Sequence, residues 1–202
     1  MLKLYYAPQT RSHRPRWLLE ELGVPHELVR MNPGDATPEY VASVHPLGAV
    51  PALDDDGLVL FESGAICAYL ADRFEAKGLA PAPGTRERGE YYKWLFFAAV
   101  TLDRSIITCV VHTVMLPEEE RSKELAEKSR ADFVEDQAPA LERALADGRE
   151  FLLGAQFTAA DVMVGSLVGI ARLLGMLEGF PKLEAYAKRV SSRPANKRAR
   201  AD

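Results

Sequence analysis

The sequence predicts an α/β unit followed by an all-helical one, and three observations carry that division. Up to about residue 76 the order reads strand, helix, strand, then helix, hairpin and helix. Residues 77–84, Lys-Gly-Leu-Ala-Pro-Ala-Pro-Gly, break all periodicity and form a linker. Residues 85–202 then carry only helical patterns.

Residues 3–7 make the first strand, ended by Pro8. A helix follows, with Leu18, Leu19 and Leu22 at helical spacing and Gly23 as its stop. Pro15 is tolerated only in a first turn, where N–H groups have no internal partner; this favours Ser12 as N-cap and leaves Thr10 and Arg11 in the loop before it. The helix start is electrostatically odd. Arg11, Arg14 and Arg16 crowd the positive end of a helix, an arrangement that is comfortable when an anion sits there.

Residues 24–30 give a second strand, and residues 38–44 a short helix after the turn chemistry of Asn32, Pro33 and Gly34. The apolar run 47–53, the polar turn Asp54-Asp55-Asp56-Gly57 and the run from Leu58 read as a hairpin leading into a helix. Pro51 has no N–H to give a sheet, so it sits where a strand begins or bulges, and the polar groups of Val50 are left for another partner. Ser63 to Phe74 form the third helix, with Ile66, Tyr69, Leu70 and Phe74 on one face. Cys67 falls among them as packing.

In the helical part, a long helix runs from Thr85 or Arg86 to Met115 and stops at Pro117. Another spans Glu118 to about Leu145, kinked near Pro139 and ended by Gly148. Phe157-Thr158-Ala159-Ala160-Asp161-Val162 states a helix start: Thr158 caps, Asp161 reaches back, and Phe157 staples to Val162. Residues 181–190 form a last helix. Trp94 and Phe97 read as core. Arg104, Thr108 and His112 form one i+4 row whose polar groups suit a ligand pocket between the domains.

Composition excludes several classes. At 48% hydrophobic and 27% charged over 202 residues, the chain reads as globular. No apolar run approaches the ~20 residues needed to cross a bilayer, and residues 1–6 lack a signal-peptide h-region, so a cytoplasmic protein without membrane contact is expected. Two distant cysteines give neither a disulfide framework nor metal spacing. A net charge of −4 argues against a nucleic-acid partner, and the positive charge from Lys182 through Arg200 reads as a solvated tail.

Val50-Pro51, followed by Glu62-Ser63 and the helix Ala65-Ile66-x-x-Tyr69-Leu70, resembles the glutathione site of the cytosolic glutathione transferases, whose N-terminal domain is thioredoxin-like. The resemblance covers residues 3 to about 198 and includes the Thr158–Asp161 box. It implies a cis Pro51, Val50 main-chain groups pairing with the cysteinyl residue of glutathione, Glu62 on the γ-glutamyl ammonium and Ser63 on its carboxylate. Gln9-Thr10-Arg11-Ser12-x-Arg14 resembles the bacterial and fungal Ser-Arg-Ser/Ala-x-Arg loop, with Thr10 in place of the catalytic Ser and Arg11 beside it. Ser12, Tyr6 and backbone amides with Arg11 stay open as thiol contacts. Arg11 occupies the position of the beta-class active-site Cys, which speaks against covalent Cys chemistry. The chain departs from the family pattern at His45, where Asn is commoner, and at Ala49, where a basic residue is common.

The implied activity is conjugation of the glutathione thiolate to a hydrophobic electrophile, of the detoxification kind, by a homodimer without a metal. A glutathione-dependent isomerase, dehalogenase or disulfide reductase, and a non-catalytic binding protein of the same fold, remain as alternatives.

Overall fold

Alternation in the first six residues sets the first layer. Leu2, Leu4 and Tyr6 are buried while Lys3 and Tyr5 are half-exposed, so strand β1 (Leu2–Tyr6) commits one face to a core. In the computed structural model, which describes every residue except Pro33 and Asp202, β1 lies inside a four-stranded sheet of order β2-β1-β3-β4. It runs parallel to β2 (His26–Arg30) and antiparallel to β3 (Ala52–Asp55), which pairs antiparallel with β4 (Leu58–Phe61). Leu4 opposes Leu28 on one side and Leu53 on the other.

A parallel pair needs a crossover, and α1 (His13–Leu22) supplies it. It buries Trp17, Leu18, Leu19 and Leu22, and the Gly23 N–H closes its last turn on the Leu19 carbonyl at 3.0 Å. Next comes α2 (Pro38–Ser43), whose cap Thr37 accepts from the Tyr40 N–H at 3.2 Å; Pro33, in the turn chemistry expected before it, lies outside the described residues. Helix α3 (Ser63–Arg73) buries Ile66, Cys67, Leu70 and Ala71 and packs against α1.

The hairpin is tighter than its sequence suggests. Asp54 and Asp55 are strand residues, and the turn is Asp56-Gly57 alone, with φ of 50° and 95°. Asp55 tolerates the sheet because its carboxylate accepts from the Tyr69 hydroxyl at 2.6 Å and pairs with Arg73 at 2.9 Å.

By contacts the chain divides into residues 1–80 with 192–202, and residues 81–191. In the second unit α4 (Arg86–Phe96), wide i→i+5 turns over Phe97–Leu102, α5 (Asp103–Val110) and further wide turns over Val111–Met115 make one 30-residue rod, Arg86–Met115. Then follow α6 (Lys123–Ala131), wide turns over Asp132–Gln137, α7 (Ala138–Ala144), α8 (Ala159–Leu173) and α9 (Pro181–Ser191). Glu118–Glu120 is a separate single turn, and α6 starts at Ser122, whose hydroxyl accepts from Leu125 N at 3.2 Å. The chain passes Pro139 through wide turns without ending the helix. By length and composition the rod is long and apolar enough to cross a membrane, against the expectation that no stretch approaches that length. Its buried residues Tyr91, Leu95, Ala98, Leu102 and Ile106 form a stripe, and the rod packs against α8.

The charged end of the chain is not a solvated tail. A further helix, α10 (Pro194–Arg200), packs on α1 within the first unit and buries Ala195, Asn196 and Ala199. Arg193 forks onto Glu21 at 2.6 and 2.8 Å, and Arg198 reaches Glu20 at 2.6 Å.

Helix α8 is buried nearly all round, and Asp161 inside it is fully buried. The carboxylate completes the capping box by accepting from Thr158 N at 2.9 Å, and it also accepts from Leu152 N at 2.9 Å and the Tyr186 hydroxyl at 3.1 Å. Burial pushes its carboxyl up to about 6 against the pull of these donors. A raised folded-state value means the folded chain holds the proton more tightly. That contribution is complete below the ordinary carboxylate range and is lost as pH rises through about 6. The stability advantage of the parent over Asp161→Asn therefore narrows between about pH 4 and about pH 7, read from urea midpoints. Thr158→Ala should lower stability by about 1–2 kcal/mol in the same assay.

Candidate functional site

Sheet register decides which loops meet. Tyr5 opposes Ala52, and Ala52 opposes Phe61, so the chain leaving β1, the chain entering β3 and the chain leaving β4 share one end of the sheet. Those three stretches hold Thr10 to Ser12, Val50-Pro51 and Glu62-Ser63.

At the first, Gln9 turns the chain with φ of 58°, a left-handed conformation rare for a residue with a side chain. Thr10 is exposed; its hydroxyl lies 2.8 Å from the Ala7 carbonyl and 2.9 Å from Ser12 Oγ, and it accepts from Ser12 N at 3.2 Å. Ser12 stands at the N-cap position without capping. It is fully buried with helical φ and ψ, and its oxygen turns back to accept from Ala7 N at 3.4 Å. A serine already in helical geometry points away from the N–H groups it would cap. Tyr6 is buried, with the Arg16 guanidinium 4.8 Å from its ring centroid.

The three arginines differ in burial and partners. Arg11 is exposed. Arg14, 4% exposed, donates from Nη1 to Ser63 Oγ at 3.1 Å and so ties the start of α1 to the start of α3. Arg16 donates to the Ala201 carbonyl at 3.2 Å. The Arg14 link was not read from the sequence, although Arg14 stands on the row of Leu18 and Leu22, which marked it as inward-facing.

The Val50–Pro51 peptide is cis. The loop before it is pinned: His45 N and Gly48 N bond the carbonyls of Tyr40 and His45 at 3.0 and 2.8 Å, Leu47 N bonds His45 Nδ1 at 3.2 Å, and the Tyr40 hydroxyl donates to Ala49 O at 2.7 Å. Among the described residues neither the N–H nor the C=O of Val50 has a hydrogen bond. Glu62 precedes α3 with φ of 71°, a conformation that costs a residue with a side chain about 1–3 kcal/mol and holds its exposed carboxylate at the positive end of a helix. Ser63 is buried against Arg14.

The remaining candidates belong to the second unit. Arg104 is exposed and Thr108 half-buried on α5; His112 lies in the wide turns after it, where the i+4 row lapses, and its Nδ1 accepts from Ser122 N at 3.2 Å. A cavity of about 210 Å³ on this rod is lined by other residues, among them Cys109, Thr113, Glu127 and Arg130. Cys67 is fully buried, and burial pushes its thiol up to about 12. Trp94 is buried, as expected of core, and packs edge-on at 5.7 Å to Phe97, which is only half-buried.

Residues 1–72 match the family model for the glutathione S-transferase N-terminal domain and residues 127–189 that for the C-terminal domain. The chain is 30% identical to glutathione S-transferase GstA of Escherichia coli O157:H7 over 202 residues, 96% of this chain and 94% of that one. It is 36% identical to the disulfide-bond oxidoreductase YfcG of Escherichia coli K12 over 107 residues, about half of each chain; the match to glutathione S-transferase hmp2 of Hypomyces subiculosus likewise spans half of that relative. A sphingomonad glutathione S-transferase solved in complex with glutathione superposes with a TM-score of 0.82 at 30% identity, over 98% of this chain and 96% of that one.

Gly48 offers a test of the pinned loop. Its φ is 61°, and an added Cβ would stand 3.1 Å from Ala36 Cβ. Gly48→Ala should destabilise the chain by about 1 kcal/mol or more, measured as a fall in the urea midpoint.

Proposed function

The chain belongs to the cytosolic glutathione transferase superfamily, and from that premise we propose that it binds glutathione on the first unit and transfers the thiolate sulfur to a hydrophobic electrophile. The observation that carries the reading is the bare main-chain edge of Val50 at the sheet end shared with Thr10 and Ser63. An unpaired N–H and C=O side by side suit the backbone of one extended residue, here the cysteinyl residue of the tripeptide. Glu62 takes the γ-glutamyl ammonium. Ser63 takes its carboxylate: the oxygen already receives the Arg14 N–H, so its own proton is the one to offer.

The thiol is then directed at the loop before α1. A free thiol titrates near about 8.5, and lowering it by about 2 units takes about 2.7 kcal/mol. In this reading the Thr10 hydroxyl, the start of α1 and the exposed Arg11 supply that between them, while Ser12 stays beneath Thr10 as its hydrogen-bond partner. The thiolate attacks an electrophilic carbon, displacing a leaving group or adding to it. The electrophile's contacts are assigned to Arg104, Thr108 and His112 of the helical unit, although His112 leaves their i+4 row. A cytoplasmic homodimer acting in detoxification is the matching setting.

The likeness to YfcG favours a second reading, in which the same thiolate attacks a disulfide sulfur. Neither Cys67 nor Cys109 is exposed, so glutathione would supply the nucleophile there too. Turnover of an aromatic halide against turnover of a small disulfide separates the two.

Retention on immobilised glutathione tests the binding step, and no retention overturns it. Ultraviolet absorbance of the bound thiolate against pH tests activation. Thr10→Ala should raise the midpoint by about one unit, from about 6.5 to about 7.5, which cuts the bound thiolate at pH 7 about threefold; coincident midpoints would remove Thr10 from the chemistry.

A further inference from the structure

The Ala49 carbonyl and the Val50 N–H belong to one peptide group, and a buried phenol holds that group. The Tyr40 hydroxyl donates to Ala49 O at 2.7 Å, a well-formed O–H···O bond. We propose that Tyr40 is a positioning residue for glutathione, fixing the plane of the Ala49–Val50 amide and strengthening the Val50 N–H as a donor to the ligand's main chain. This rests on the reading that Val50 pairs with glutathione.

The amide is planar and conjugated, so fixing its oxygen fixes the direction of its N–H. Donation to the carbonyl draws charge toward oxygen and leaves the N–H more acidic, the cooperative strengthening expected along a hydrogen-bonded chain. Tyr40 can impose this because it is itself held at every point. Thr37 Oγ1 takes its N–H at 3.2 Å, and Val44 N and His45 N converge on its carbonyl at 2.8 and 3.0 Å. Its ring meets Tyr5 edge-on with centroids 5.4 Å apart, and the side chain is 7% exposed. Burial pushes its hydroxyl up to about 12, so the group stays protonated, a donor, throughout the neutral range. Tyr5 in turn opposes Ala52 two residues beyond Val50, which references the amide to the central strand of the sheet. Among the described residues the Ala49 carbonyl has no other hydrogen bond.

Tyr40→Phe removes the hydroxyl and keeps the ring. The dissociation constant for reduced glutathione, measured by titration calorimetry, should rise about three- to tenfold. KM for glutathione should rise by the same factor while kcat at saturating glutathione and the pH midpoint of the bound thiolate stay as in the parent. In ligand-free, nitrogen-15-labelled protein the Val50 amide proton should move upfield, as its carbonyl loses a donor. A variant that binds glutathione as tightly as the parent overturns the role, as does an unmoved Val50 resonance. A lower urea midpoint with unchanged glutathione affinity assigns the phenol to stability alone and also overturns it. A parent that fails to bind glutathione overturns the proposed function and this role together; equal binding by parent and variant overturns only the role of Tyr40.

Discussion

One buried guanidinium holds the working end of the first unit together. Arg14 donates to Ser63 across 49 residues of sequence and joins the first turns of α1 and α3. Each helix start carries partial positive charge, and the arginine adds a full one in a place nearly sealed from water. A cation there is tolerable when polar groups satisfy it, and it biases the adjoining surface toward a carboxylate. The same bond ties the first turn of α1, just after the Thr10 loop, to the Ser63 hydroxyl.

The features that could be read from the sequence are those whose cause is local. Pro51 restricts its own surroundings, Gly23 stops its own helix, and the Thr158–Asp161 box closes within four residues, so each pattern carries its explanation with it. The convergence of Thr10, Val50 and Ser63 followed from a resemblance, and its physical reason is the register Tyr5–Ala52–Phe61, which no single stretch states.

What escaped was long-range. The segment from Arg193 to Arg200 looks solvated because its partners Glu20 and Glu21 lie more than 170 residues earlier. Asp54 and Asp55 look like turn because an acid is unwelcome in a sheet, and only Tyr69 and Arg73 make Asp55 acceptable. Arg16 looked available to an anion, yet Tyr6 and the Ala201 carbonyl already occupy it. In each case a polar side chain was judged by composition, and a partner distant in sequence reversed the judgement. Ser12 failed for a subtler reason: N-cap residue types are read on the premise of extended backbone, and this one is helical.

The hydroxyl pair also limits what Thr10 can do in the proposed reaction. Its one proton lies within reach of Ala7 O at 2.8 Å and Ser12 Oγ at 2.9 Å, so donation to a thiolate breaks an existing neutral bond. A charge-assisted bond worth about 1.5–3 kcal/mol then replaces one worth about 0.5–1.5 kcal/mol, a net gain of about 1–1.5 kcal/mol or one pKa unit. Ser12, sealed beneath, can turn its own proton to the Thr10 oxygen and keep the cluster saturated after the switch. About half of the 2.7 kcal/mol needed to lower a thiol by about 2 units therefore comes from elsewhere. The groups on hand for it are the largely buried start of α1 and the exposed guanidinium of Arg11, both positive, and the second is screened by solvent. Activation in the proposed reaction is thus shared, with a salt-sensitive part from Arg11, and no single side chain carries it.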